Sequence, residues 1–230
     1  MSGLYNDITV TEAAKLQKEL RGQIELQTPA GLSAQTVAGA DISFNKYETT
    51  VYAGVIVLQL PDLQPIAYSL VKTDVTFPYV SGYLAFREVP ALLKAWMQLA
   101  QKPDVLVVDG HGIAHPRRMG IASHFGVLTG QPTIGCAKKI LFGKYEQPPD
   151  ERGAYSDIQD KGEVIGAVLR TREKVKPVFV SPGHKMSLQD SIGITLKCMG
   201  KYRIPEPTRR AHELVNAFRR GELQEGYTLI

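Results

Sequence analysis

The spacing of apolar residues changes several times along the chain, and each change predicts an element. Between Thr11 and Leu26, residues Ala14, Leu16, Leu20, Ile24 and Leu26 recur at roughly helical spacing among charged neighbours. This predicts an amphipathic outer helix capped by Thr11. From Thr36 the pattern becomes β-rich, in the runs Val37 to Phe44, Val51 to Leu60 and Ile66 to Val75. The links Asn45-Lys46-Tyr47-Glu48 and Pro61-Asp62-Leu63-Gln64 are too short for crossovers, so the runs are predicted to form an antiparallel meander. Helical spacing returns from Tyr83 to Leu99, with Val89, Leu92, Leu93, Trp96 and Leu99 on one stripe. Pro90 removes a backbone donor, which predicts a helix that starts near Arg87 or kinks.

Val105 to Val108 is an unbroken apolar run ending in Asp109, the pattern of a strand buried on both faces of a parallel sheet. A second such strand, Thr133 to Cys136, follows a helix-compatible stretch from Ile121 to Leu128. A further hairpin is predicted from Val164 to Arg170 and Val178 to Val180, around the charged turn Thr171 to Lys176. Ser187-x-x-Asp190 opens a helix with capping-box spacing, and another runs from Thr208 with Ala211, Leu214, Val215 and Phe218 on one stripe. Three antiparallel strands followed by parallel ones predict an α/β fold, a mixed central sheet with helices on both faces. The ribonuclease H-like layout fits this order as well as any other does.

With 230 residues, 43% hydrophobic and 22% charged, the chain can bury a sizeable core. One domain, 1–230, is expected, with residues 1–30 forming a helix packed on the core and 222–230 a tail. No apolar stretch approaches the roughly 18 residues of a membrane span, and no basic-then-apolar leader opens the chain. Cys136 and Cys198 lie far apart without metal-ligand spacing, which argues against a disulfide framework and for a reducing compartment. A monomer in the cytoplasm, without a membrane partner, is expected. The net charge of +4 suits a polyanionic partner without requiring one.

Two aspartates end predicted strands, Asp41 after Val37-Ala38-Gly39-Ala40 and Asp109 after Val105 to Val108. If those strands are parallel neighbours, about 4.8 Å apart, the two carboxylates can share a divalent ion. The bland alternative is that each is a turn former. Gly110-His111-Gly112 weakens it for Asp109, because backbone there can approach a substrate closely. Glu88 falls on the edge of the stripe facing the sheet, where it needs either an arginine such as Arg87 or Arg118, or a metal. Three carboxylates meeting at a sheet end would suit Mg²⁺ or Mn²⁺. His115-Pro116-Arg117-Arg118, Lys138-Lys139 and Arg209-Arg210-Ala211-His212 lie at predicted strand or helix ends, a combination that favours phosphate. His124 reads as structural, and His184 as either a substrate contact or a strand end. Tyr79, in Phe77-Pro78-Tyr79-Val80-Ser81-Gly82, is an aromatic on a stiff loop, suited either to the core or to entering a base stack.

These residues resemble the endonuclease V family of deoxyinosine 3′ endonucleases. The likeness runs from about Thr36 to His212 and is dense in Gly39-Ala40-Asp41, Pro78-Tyr79-Val80, Phe86-Arg87-Glu88, Asp109-Gly110-His111-Gly112, Ala137-Lys138-Lys139 and Pro205-Glu206-Pro207-Thr208-Arg209. The resemblance implies a Mg²⁺-dependent nuclease, with Mn²⁺ as a substitute, that cuts the second phosphodiester bond 3′ to deoxyinosine in DNA. In it Asp41, Glu88 and Asp109 match the metal carboxylates, Lys138 and His212 match residues assisting the reaction, and His115 matches a neighbour of the metal. Tyr79 with Pro78 matches the wedge; Leu84, Gly110, Gly112 and Ile121 match the surroundings of the hypoxanthine pocket; Arg117 and Arg118 are expected to meet nucleic acid. Ser81 stands where the family usually has proline, which removes one source of stiffness from the wedge. The same site directed at inosine in RNA, a non-catalytic nucleic-acid binding module, and a resolvase-like or transposase-like nuclease are the alternatives.

Overall fold

The computed structural model describes residues 4–45 and 48–230. The three β-rich runs become β1 (Thr36–Phe44), β2 (Thr50–Gln59) and β3 (Gln64–Asp74), an antiparallel meander as expected. Lys46 and Tyr47 of the first link lie outside the described residues. The apolar run β4 (Val105–Val108) pairs in parallel with β1 and with β5 (Thr133–Ala137). Beyond β5 the sheet continues antiparallel through β8 (Val178–His184), β7 (Glu163–Leu169) and β6 (Tyr155–Asp160). The order is β6-β7-β8-β5-β4-β1-β2-β3-β9, with β9 (Gly226–Leu229) as the other edge.

Alternation along β4 explains why its sequence is apolar throughout. Val105 and Val107 join a core with Ile192 and Ile194 of α4 (Leu188–Lys197) and Ala211 of α5 (Glu206–Arg219). Leu106 and Val108 face the other way, against Leu92 and Trp96 of α2 (Leu84–Gln98) and Phe125 of α3 (Ile121–Thr129). Each fully buried side chain of this size contributes roughly 1.5–3 kcal/mol, so the strand under the site is anchored from both faces.

Several boundaries differ from expectation. The first helix is α1 (Val10–Arg21), capped by Thr9 and not by Thr11. Only Thr9 has a glutamate three residues on, and the Thr9 and Glu12 side chains each accept from the other's backbone N–H. α2, by contrast, fills the Tyr83 to Leu99 stretch of helical spacing: it starts at Leu84, not near Arg87, and carries Pro90 in its interior, leaving the Phe86 carbonyl without that helical donor. Its heavily apolar inner face, from Ala85 to Trp96, stabilises the helix across the missing bond. α5 starts at Glu206, and Pro207 falls in the first turn, where its missing N–H costs nothing. Ser187 caps α4 as its spacing predicts, accepting from the Asp190 N–H at 3.0 Å. Two strands escaped prediction: β6 buries one residue fully, Ile158, and β9 none, so neither carries a run of core positions. The tail thus extends the sheet, β9 pairing antiparallel with β3.

Candidate active site

Asp41 lies within β1 and does not end it, because Ile42 to Phe44 continue the ladder with β2. Against β4, however, the register runs out at Ala40 opposite Val108, and the Asp109 N–H donates to the Ala40 carbonyl at 3.1 Å. The two aspartates therefore emerge side by side at the C-terminal end of the parallel pair, where ligands of α/β sheets bind. α5 brings a third group to them. His212 Nδ1 lies 2.7 Å from Asp41 Oδ2, and Asn216, one helical turn on, contacts Nε2 at 3.1 Å. One ligand atom each from Asp41, Asp109 and His212 falls within 4.8 Å of the others.

The electrostatics fit a cation. Burial raises the Asp41 pKa, and the neighbouring Asp109 raises it further against the opposing His212 contact. Glu88, half-buried on α2, is pushed up to about 8 by burial and then by the charges of Asp41 and Asp109. Neither arginine considered as its partner makes an ion pair with it. Arg87 donates to the carbonyls of Phe77 and Glu48, and Arg118 pairs at 2.7 Å with both Asp160 and Glu163. Glu88 is not among the three residues whose ligand atoms meet within 4.8 Å. It stands as the third negative group of one field, and the Asp109 carboxylate is further held by Lys138 Nζ at 2.5 Å. Mutually repelling oxygens with one imidazole are a donor set that a hard divalent cation relieves.

Asp109 and Glu88 also line a cavity of about 520 Å³ whose wall includes Leu84, Gly110, His115 and Ile121. Gly110 fits there because a Cβ would lie 2.5 Å from the Ile121 side chain. Tyr79 stands at this cavity, 48% exposed, beside exposed Pro78. Its ring lies 6.0 Å from Phe44, which in turn carries the Arg87 guanidinium at 4.9 Å. Arg117 donates to the Gly82 carbonyl at 2.6 Å and lies over the Tyr83 ring at 4.0 Å, while Gln17 donates to the same carbonyl at 3.0 Å. The loop bearing Tyr79 is thus braced by the side chains of Arg117 and Gln17 at Gly82.

Two expected site residues are occupied elsewhere. Arg118 is buried in its ion pairs with Asp160 and Glu163, strand-edge acids that its guanidinium neutralises, so it is withdrawn from a surface role. Gly112 does not line the cavity: a Cβ there would lie 1.9 Å from the Pro182 carbonyl oxygen, and its N–H donates to Ser181 Oγ. It permits the loop after β4 to pass close to β8. His184 accepts from the Glu25 N–H at 3.3 Å, and His124 contacts the Tyr5 hydroxyl at 2.9 Å inside the core. Met119 and Leu141, which sequence reasoning passed over, also line the cavity, together with His111 and Lys139 of the motifs already noted. Asn216 was also passed over, and its α-helical i, i+4 spacing from His212 was the available signal.

Known proteins resemble this chain in sequence and in fold. Endonuclease V of Myxococcus xanthus is 48% identical over 216 residues, covering 94% of this chain and 92% of that protein. The crystal structure of the Streptomyces avermitilis endonuclease V superposes with a TM-score of 0.89 at 42% identity, over 95% of this chain and 96% of that one. A Ciona intestinalis endonuclease V, solved in complex with a 24mer DNA containing an inosine followed by a ribo-adenosine, matches with a TM-score of 0.81 at 31% identity, over 93% of this chain and 99% of that one. Residues 18–213 match the Endonuclease V family as a whole, a span that runs from α1 to the residue after His212. With the sheet, the acidic centre and this likeness in agreement, the chain belongs to the endonuclease V family of nucleases.

Proposed function

We propose that this nuclease is a Mg²⁺-dependent DNA repair enzyme that recognises deoxyinosine and hydrolyses the second phosphodiester bond on its 3′ side, leaving a 3′-hydroxyl and a 5′-phosphate. The observation that carries this reading is the adjacency of the Asp41, Asp109 and His212 cluster to a base-sized cavity bearing Tyr79. At about 520 Å³ the cavity falls within the roughly 300–1,000 Å³ of small-molecule sites, room enough for one everted base.

Asp41, Asp109 and His212 would hold the ion, with Glu88 adding negative charge beside it. Bound there, Mg²⁺, or Mn²⁺ in its place, supplies Lewis-acid stabilisation of charge on the phosphate and acidifies water. The chain's own groups do the remaining work. Asn216 contacts His212 Nε2, which keeps Nδ1 turned toward Asp41 and the acidic cluster. Lys138 offers a positive charge to the oxygen that leaves. Leu84 and Ile121 present apolar faces to the base, Gly110 lets backbone approach its edge, and His115, pushed down to about 4 by burial, stays neutral in the wall. Tyr79 takes the place vacated in the base stack.

The test is cleavage of an end-labelled duplex with a single deoxyinosine, with Mg²⁺ and with chelator. One cut is expected, at the second bond 3′ to the lesion, absent with chelator and reduced at least about a thousandfold in Asp109→Ala. Equal cutting of an undamaged duplex would refute the assignment. The ribo-adenosine in the DNA bound by the Ciona protein favours a second reading, inosine in RNA, which the same sequence carrying inosine in a ribose strand separates.

A further inference from the structure

A second depression of about 620 Å³ opens beside the base cavity. Lys139 and Ile140 line both. The Asp109–Lys138 ion pair spans the divide, since Asp109 faces the base cavity and Lys138 the second depression. A strand that left its base in the first cavity and passed its phosphate over the acidic cluster would next meet this groove.

The groove is strongly cationic: Lys138, Lys139, Arg170, Lys174, Lys176 and Arg203 face one carboxylate, Asp150. That carboxylate is already engaged, 3.3 Å from Arg170 and accepting from the Lys174 backbone N–H at 2.9 Å. The two arginines are construction elements. Arg170 donates to the carbonyls of Pro148, Pro149 and Val175, and Arg203 to those of Lys176 and Pro177, which ties the charged turn between β7 and β8 to the walls. Lys139, Lys174 and Lys176 are exposed, and among the described residues none of them forms an ion pair. Tyr145, set edge-on to Phe179 at 5.5 Å, gives the same groove an aromatic wall. Fixed walls with free ammonium groups and an apolar strip match a sugar-phosphate backbone.

We propose that this groove carries the cleaved strand beyond the cut, on its 3′ side, and so grips the 5′-phosphorylated fragment. The inference rests on the function proposed above for its polarity: base cavity, acidic cluster, Lys138 and groove follow one another in the 5′ to 3′ direction.

The measurement is KM for deoxyinosine duplexes whose cleaved strand extends about two or about ten nucleotides past the cut, with the 5′ arm held constant, in the wild-type enzyme and in the double variant Lys174→Gln, Lys176→Gln. The wild type should favour the longer arm about tenfold, and the double variant should lose most of that preference. Its salt slope for binding should flatten by roughly two, as expected for two lost phosphate contacts. Lys174→Arg with Lys176→Arg should retain the preference. An unchanged ratio in the Gln variant, or a loss that follows the length of the 5′ arm, would overturn the proposal. Fluorescence anisotropy with a 5′-phosphorylated single strand tests the groove without cleavage. If the wild type ignores deoxyinosine yet binds this strand through Lys174 and Lys176, the lesion reading falls and the groove stands.

Discussion

Glu88 illustrates how one side chain is placed against its own stability. Held half-buried beside Asp41 and Asp109, it takes up a proton more readily than in the unfolded chain, its pKa rising from 4.5 to about 8. The folded state then binds more protons than the unfolded state between these values, so the metal-free protein should lose stability as pH rises from about 4.5 to 8. Glu88→Gln removes that charge. Its metal-free form is expected to be more stable than wild type at pH 8, by on the order of 1–3 kcal/mol, while cleavage falls by at least about a hundredfold. Thermal melts with chelator at pH 5 and pH 8 would show this; a variant no more stable at pH 8 would remove Glu88 from the repulsive group. Tyr79 contributes differently, since it stands 48% exposed and its ring lies beside Phe44. Tyr79→Ala should reduce the preference for deoxyinosine over undamaged DNA roughly tenfold or more with little change in Mg²⁺ affinity. A parallel fall in metal affinity would contradict the wedge role.

At the scale of elements, the site depends on how closely α5 approaches the sheet. A Cβ on Gly39 of β1 would lie 1.8 Å from the Pro207 carbonyl oxygen, so only glycine admits the first turn of α5 at this height. That seat sets His212 over Asp41, two residues further along the strand. Gly39→Ala should therefore lift the helix and destabilise the fold by roughly 1–3 kcal/mol. Activity should fall more than unfolding of the population explains, because the His212–Asp41 contact is lost. Circular dichroism together with single-turnover rates on the folded fraction decides this, and full activity in that fraction would separate the helix seat from catalysis. The local pattern showed β1 and the stripe of α5 clearly, yet no periodicity announces a distance of contact between a helix and a strand. Pro90 makes the same point in reverse. Local rules left open a start near Arg87 or a helix running through Pro90, and the buried face of α2 selects the second.

For the whole molecule, buried histidines set the acid limit. Burial pushes His124 down to about 3 and His115 to about 4, whereas unfolded histidines titrate near 6.5. The unfolded chain then binds more protons below about pH 6.5, so stability should decline as pH falls from there toward 4. His124 alone should account for a loss on the order of 2 kcal/mol by pH 5, since each unit is worth roughly 1.4 kcal/mol. Urea unfolding of wild type and His124→Phe between pH 7 and 5 measures it, and identical slopes for the two would exclude His124 as a source. Among the described residues no helix is long and apolar enough to cross a membrane, and the net charge of +4 is gathered in part around one groove beside the acidic centre.

What could be read along the chain was whatever depends on neighbours within a few residues. The meander follows from short links, the buried strand before Asp109 from four apolar residues in a row, and the cap of α4 from Ser187-x-x-Asp190. Asp41, Asp109 and the exposed Tyr79 were legible because apolar strands and proline turns leave marks of their own. The pairing of His212 with Asp41 spans 171 residues, that of Arg118 with Glu163 spans 45, and the cationic groove joins loops after β5, β7 and α4. Edge strands β6 and β9 have few core positions to mark them. Such features arise when packing of both sheet faces sets the height and rotation of each helix, a collective outcome of side-chain volumes that no short window contains.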